Sequence, residues 1–211
     1  MQHERPTMMC ECTAETLRIV TAIRESTCPP RPNASNHAIS LGDVLGAGRL
    51  LVRNWEHLNG CFNASAHLDA AMLWTIADAT SGLIGLHESV GVAAGIVSAV
   101  GQGTDSRERG VSRVATSSSP SAMSTPSRAL NNNGLVTVQL PTRLGTHALE
   151  EDEANMVGRE ALRHSVLLLG EILHDISKDC GELGGSDVED TRAILDKSST
   201  DMLRLLGRIN S

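Results

Sequence analysis

The chain has 211 residues, 40% hydrophobic and 20% charged, which is enough to bury one core as a single domain or a domain with a tail. Its formal net charge of -7 argues against binding nucleic acid on its own, because such binding depends largely on Lys and Arg that neutralise phosphates. Only 1% of the residues are aromatic and none is tyrosine, so Leu, Ile, Val, Ala and Met must build the core. This composition favours packed helices over a β-sandwich, since strands draw heavily on aromatic and β-branched residues.

The cysteines are odd in number and irregularly spaced, which does not suit a disulfide framework and indicates a reducing compartment. They are Cys10, Cys12, Cys28, Cys61 and Cys180. The first residues lack the apolar centre of a secretory signal, and the longest weakly polar stretch, 89–103, has too few consecutive apolar residues to cross a bilayer. We therefore expect free thiols, no signal peptide and no membrane span.

The first two helices are predicted from apolar spacing and from their end signals. Apolar residues recur at helical steps from Cys12 to Glu25, and prolines follow. Ser40 can cap a second helix whose apolar residues recur every three or four positions, and Asn59-Gly60 is a typical stop.

A third helix is predicted after the segment CFNAS, and it is expected to run past His87 into a glycine-rich stretch. Each glycine there lowers helix stability by about 1 kcal/mol relative to alanine, so a kink or break near Gly91 is expected. These three helices make up an N-terminal half, residues 1–103.

The second half of the chain is separated from the first by a segment with almost nothing to bury. Residues 104–134 are rich in Ser, Thr, Asn and Pro and are predicted to be a disordered insertion. Residues 135–211 form the C-terminal half, which opens with a short extended lead-in containing a proline.

Two further helices are predicted in this C-terminal half. Four acids, Glu150 to Glu153, suit the positive end of a long helix that reaches Cys180-Gly181 and is expected to organise the core. A last amphipathic helix begins after Ser186 and can pack on its own domain or on a partner. The predicted fold is all-α, a bundle-like domain of about five helices with a long disordered insertion.

Several short patterns resemble metal sites but are incomplete. Glu171 and His174 make one Glu-x-x-His step, whereas a di-iron bundle needs two such steps and two more glutamates. Cys10-Glu-Cys12 is shorter than the C-x2-C spacing of zinc sites, and no second short-spaced pair completes four ligands. We therefore predict no metal ligand and no cofactor, and we interpret His174 as a polar residue beside the core.

Patterns that would indicate phosphate binding or hydrolysis are also incomplete. The glycines of GDVLGAG are not in the G-x-G-x-x-G order and follow no strand. GLHESVG is not a nucleophile elbow, because no strand precedes Ser89. His87 and Glu88 are interpreted as a surface patch or a helix end. No nucleophile, base and orienting group are assembled, so no catalytic residue is predicted and the chain is not expected to be an enzyme.

With the helices placed, four blocks in order resemble the regulatory domain of fungal zinc-cluster transcription factors of the aflatoxin regulatory protein family. The best block runs from LVTVQLPTRLGTHALEEDEANM through ALRHSVLLLGEILHDIS, where Gly145, Leu149 and the acids Glu150 to Glu153 match the family's entry to its last long helix. The other three are CECTAETLRIVTAIRE, ISLGDVLGAGRLLVRNWEHLNGC and HLDAAMLWTIADATSGLIGL.

The chain also departs from this family. The defining six-cysteine zinc cluster with its basic flanks is missing, so direct DNA binding is not implied. An aromatic step late in the third helix is absent as well, and His147 stands where a tyrosine is common.

The resemblance implies a nuclear regulator of a fungal secondary-metabolite gene cluster that acts through a protein partner, a DNA-binding transcription factor or coactivator. The chain would be a paralogue without the DNA-binding head or part of a longer protein, and its last helix offers a surface for a homo- or heterodimer.

Two alternatives remain at this stage. One is a small cofactor-free enzyme or metabolite-binding protein of such a cluster, since an apolar pocket with a few polar groups can be hidden in a sequence. Its first candidate residues would be His87, Glu88, His164 and His174. The other is the product of a decayed gene, suggested by the glycine-interrupted third helix.

Overall fold

The computed structural model describes residues 10–27, 39–98, 129–130, 136–137, 143–144, 146–183 and 188–211. These residues form an all-α domain with six helices. The helices are α1 (Cys12–Thr27), α2 (Leu41–Asn59), α3 (Ala64–His67), α4 (Ala70–Ala93), α5 (Glu151–Leu183) and α6 (Glu189–Ile209). Four two-residue strands form two antiparallel pairs, β1 (Ala129–Leu130) with β2 (Val136–Thr137) and β3 (Arg143–Leu144) with β4 (His147–Ala148).

Helix α4 is the centre of the bundle, because it packs against α1, α2, α5 and α6. Helix α1 also packs against α2, α2 against α3 and α5, and α5 against α6. Helix α5 is the longest, as predicted, but the helix that contacts all four long neighbours is α4. The reason is composition: a larger share of α4 than of α5 is apolar and is spread around the helix, and a helix that is apolar on most sides is buried on most sides.

The helix starts follow from their capping residues. The Ser40 hydroxyl accepts a hydrogen bond from the Asp43 backbone N–H while the Asp43 carboxylate accepts one from the Ser40 backbone, so the predicted cap is confirmed as a complete capping box. Asp69 caps α4 by accepting from the Met72 N–H at 2.8 Å. At α5 the Glu150 N–H donates to the Glu153 carboxylate at 3.1 Å, which confirms that the acidic run begins this helix.

Helix α4 passes through the predicted weak point near Gly91 without a break and ends two residues later. A Cβ at Gly91 would lie 2.8 Å from Val97 and 2.9 Å from Leu162, so the glycine permits a close approach of the following turn and of α5. The turn itself uses Gly95, whose φ of 71° lies in the left-handed region. The Ile96 and Val97 N–H groups then bond back to the Gly91 carbonyl and close the helix end.

The core is built almost entirely from aliphatic residues, as the composition predicts. Trp55 is buried in it, with 4% exposed surface, whereas Phe62 is 74% exposed and Trp74 38%. The largest fully buried side chains of the core are Leu51, Leu58, Leu73, Ile76, Leu83, Ile84, Leu162, Leu169, Ile172, Ile176, Leu205 and Ile209.

The last helix packs on its own domain, against α4 and α5. Its buried stripe includes Thr191, Leu195, Ser198, Leu205 and Ile209. A dimer through this helix stays a prediction, and it would have to use the outer face.

The predicted insertion, 104–134, lies outside the described residues except for Ala129–Leu130, which forms β1. Within the lead-in, 136–137 and 143–144 are extended and each pairs over two residues.

Candidate functional site

Four side chains of the kinds that can bind a metal ion lie together at the end of the bundle where α1 begins. The Sγ atoms of Cys10, Cys12 and Cys61 and one ring nitrogen of His67 all lie within 4.8 Å of one another. The His67 Nε2 atom lies 2.7 Å from the Cys10 sulfur and 3.5 Å from the Cys61 sulfur. Cys12 is buried, and the other three are half-buried.

Three separate elements bring these side chains together. Cys10 precedes α1 and Cys12 is its first residue. Cys61 follows Gly60, which ends α2, and His67 is the last residue of the short helix α3. Directly behind the cluster, the Thr16 hydroxyl lies 3.0 Å from the Asn54 side-chain oxygen and 2.9 Å from the Cys12 carbonyl, so a buried hydrogen bond fixes α1 against α2.

The thiols of this cluster influence each other's ionisation. The hydrogen bond with Cys10, together with burial, raises the pKa of Cys12 to about 12. The pKa of Cys10 is lowered, chiefly because the Cys12 backbone N–H stabilises its thiolate. Cys10 therefore loses its proton more readily than Cys12.

No metal ligand was predicted here, because Cys10 and Cys12 are closer together than a C-x2-C pair and no second pair completes four ligands. Cys61 and His67 are far away in the sequence and six positions apart from each other. The stop signal Asn59-Gly60 could have indicated them, because it predicts that Cys61 directly follows a helix end, and His67 is only six positions further on.

A second polar group lies at the centre of the bundle, where His87 of α4 meets Ser165 of α5. His87 is 0% exposed, and its Nδ1 atom lies 2.7 Å from the Leu83 carbonyl. Because a carbonyl only accepts, Nδ1 carries the proton, and Nε2 accepts from the Ser165 hydroxyl at 2.9 Å. Burial lowers the pKa of His87 from its ordinary value of 6.5, so the ring is neutral.

This histidine was interpreted from the sequence as part of a surface patch or a helix end, and that interpretation is wrong. Gly48 of α2 explains its position, since a Cβ there would lie 2.9 Å from the Ser165 oxygen and 3.6 Å from the His87 ring. The missing side chain makes room for an imidazole between three helices. A serine bonded to a histidine is also the start of a nucleophilic site, but Ser165 is only 7% exposed and the histidine is oriented by a carbonyl instead of an acid.

Glu88, the neighbour of His87, forms an ion pair with Arg208 near the end of α6. The same guanidinium also donates to the Ser98 carbonyl in the turn after α4. These contacts fasten the last turn of α6 to the end of α4.

The remaining candidate residues do not join either cluster. His164, Glu171 and His174 are exposed on α5. Two shallow depressions among the described residues lie away from them. One is lined by α1 residues around Leu17, and the other lies beside Arg24 and Asp78, which form an ion pair at 2.7 Å.

Among the described residues no helix is both long and apolar enough to pass through a lipid bilayer.

No protein-family model matches the chain, and neither the search of curated proteins nor that of solved structures finds a match.

Proposed function

We propose that this chain is a regulatory domain of fungal secondary metabolism that acts in the nucleus through protein contacts. One observation carries the proposal. The four sequence blocks that resemble the aflatoxin regulatory protein family correspond, in chain order, to α1, α2, α4 and α5, and α4 contacts each of the other three. The resemblance thus follows the helices of one common core, with the fourth block adding the strands before α5.

Charge supports a role without direct DNA binding. The chain has a net charge of -7, and the acids at the start of α5, Glu150 to Glu153, are exposed. A surface of this sign repels phosphates and favours a basic protein partner. The partner we propose is a zinc-cluster transcription factor or coactivator that supplies the DNA contacts.

The positions of four residues bear on the enzymatic alternative. His87 is enclosed and hydrogen-bonded to Ser165, and Glu88 is paired with Arg208. His164 and His174 are exposed. The four residues that would serve a small enzyme therefore do not converge on one cavity, and no observation favours the enzymatic alternative.

The proposal is tested by measuring DNA association with and without other nuclear proteins. The purified chain is titrated against promoter fragments of its neighbouring genes at physiological salt, and fluorescence anisotropy is recorded. In parallel, the chain is cross-linked in living cells and its occupancy of the same promoters is measured by chromatin immunoprecipitation. We expect promoter occupancy in cells and no sequence-specific binding by the purified protein.

Two results would contradict the proposal. Specific binding of the purified chain would mean that it contacts DNA directly. Absence from every promoter, in cells that express the chain at its natural level, would remove it from transcription.

A further inference from the structure

We propose that Cys10, Cys12, Cys61 and His67 bind one Zn²⁺ ion in a closed tetrahedral site that holds the start of α1 to the turn between α2 and α3. The site is independent of the proposed regulatory function, and it rests on the positions of four side chains.

The distances suit a tetrahedral ion. Zn–S bonds of about 2.3 Å and Zn–N bonds of about 2.0 Å place neighbouring donor atoms about 3.5 to 3.8 Å apart. The separation of 3.5 Å between the Cys61 sulfur and the His67 Nε2 atom already has this length. The distance of 2.7 Å between the Cys10 sulfur and the same nitrogen must increase by about 0.8 Å on binding, which a side-chain rotation provides.

The donor set selects the metal. Three thiolates and one imidazole form the Cys3His set of structural zinc sites. Calcium and magnesium require oxygen ligands, and iron–sulfur clusters are generally held by four cysteines. A full set of four protein ligands leaves no open position for water, so the site is structural and not catalytic.

Helix α3 has little apolar burial of its own to hold it in place. Helix α3 has only four residues, buries none of them, and its N-cap Asn63 makes no side-chain cap bond. The neighbouring Phe62 is 74% exposed. A metal ion would fix His67, on a helix that buries none of its residues, to Cys61 and to the start of α1. It would also close the long chain segment between Cys12 and Cys61.

Binding involves no redox step. Each of the three cysteines loses its thiol proton to solvent and forms a Zn–S bond, and neutral His67 donates its Nε2 lone pair. The site then has one net negative charge.

The test begins with the full chain, purified under reducing conditions without a histidine tag. Inductively coupled plasma mass spectrometry should find about one zinc per chain after dialysis, as expected for a structural site. Cobalt added to the metal-free protein should give the intense visible bands of tetrahedral Co²⁺ and a thiolate charge-transfer band. Removal of zinc by a chelator should lower the melting temperature and expose Cys10, Cys12 and Cys61 to alkylation.

Matched variants separate ligand loss from general damage. Cys61→Ser and His67→Ala should reduce bound zinc from about one to less than a tenth per chain, because each removes one of four ligands. Cys180→Ser and His57→Ala should retain about one zinc per chain, because Cys180 is buried in α5 and His57 is exposed on α2, away from the cluster. If a ligand variant fails to fold, the cobalt spectrum and the alkylation pattern of the unaltered chain still decide the question.

Two outcomes would overturn the proposal. One is a reduced, folded, unaltered chain that takes up no stoichiometric zinc and gives only the weak spectrum of octahedral cobalt. The other is an intact mass two hydrogens lower, mapped to a disulfide between Cys61 and Cys10 or Cys12 in protein isolated from the cell, which would make the cluster a disulfide site.

Discussion

Replacing Gly48 by alanine tests whether the buried contact between His87 and Ser165 organises the bundle. The new Cβ would lie 2.9 Å from the Ser165 oxygen, closer than real Cβ atoms come, so Ser165 must rotate away from His87. The His87 Nε2 atom then loses its partner, at a cost of about 1 to 3 kcal/mol. Crowding of the packed interior adds about 1 to 3 kcal/mol, and the helix preference of alanine returns about 1 kcal/mol. The net loss in the free energy of unfolding is about 1 to 5 kcal/mol.

Gly46 supplies the matched control on the same helix, because a Cβ there meets nothing within 4 Å. Gly46→Ala should leave stability unchanged or raise it by up to about 1 kcal/mol. Urea unfolding followed by circular dichroism measures both variants, and propensity cancels in their difference, which should be at least about 2 kcal/mol. Equal midpoints and slopes for the two variants would refute this account of the three-helix contact.

Three further predictions concern a buried histidine, two buried hydroxyls and one ion pair. Because burial lowers the pKa of His87 from 6.5, the unfolded chain binds this proton more readily than the folded chain. The free energy of unfolding should therefore keep its full value above about pH 6.5 and fall below that pH by up to about 1.4 kcal/mol per pH unit. His87→Gln should remove that part of the slope in urea midpoints measured against pH, and an unchanged slope would assign it to other groups. Within the described part of the chain, the buried Thr191 and Ser198 hydroxyls have no hydrogen-bond partner. Thr191→Val and Ser198→Ala should therefore each raise the unfolding free energy by about 1 kcal/mol, and a loss would show that these hydroxyls are bonded in solution. Arg208→Met keeps the apolar stem but removes the ion pair with Glu88, and thermal unfolding should report a loss of about 1 kcal/mol that shrinks in high salt. A salt-independent loss would attribute the effect to packing or to the lost hydrogen bonds with the Ser98 carbonyl.

The helices could be predicted from the sequence because their signals are local. The capping box at Ser40, the acids at the start of α5 and the apolar spacing of α1 each act within one or two turns. The same local reasoning placed a kink or break near Gly91, and α4 continues through this glycine and ends two residues later. At Gly91 the missing side chain permits the close approach of Leu162 from α5.

The site could not be predicted in the same way, because it depends on contacts between distant segments. His87 is buried only because Gly48, on another helix, leaves space for it. The cysteine and histidine cluster needs the start of α1 to meet the turn after α2, and the spacing around Cys10 and Cys12 contains no information about that meeting. Helix α3 was not predicted either, since four residues are too few for a periodic pattern.

Deletion of the gene gives a direct test of the proposal that the chain regulates transcription through a protein partner. Transcripts of the neighbouring genes and metabolite extracts are measured in parallel in the deletion strain and in a strain in which the gene is restored. If the proposal is right, the transcripts of a contiguous gene cluster fall together in the deletion strain and recover when the gene is restored. Level transcripts with accumulation of one intermediate would contradict it, because the chain would then act on the metabolite itself.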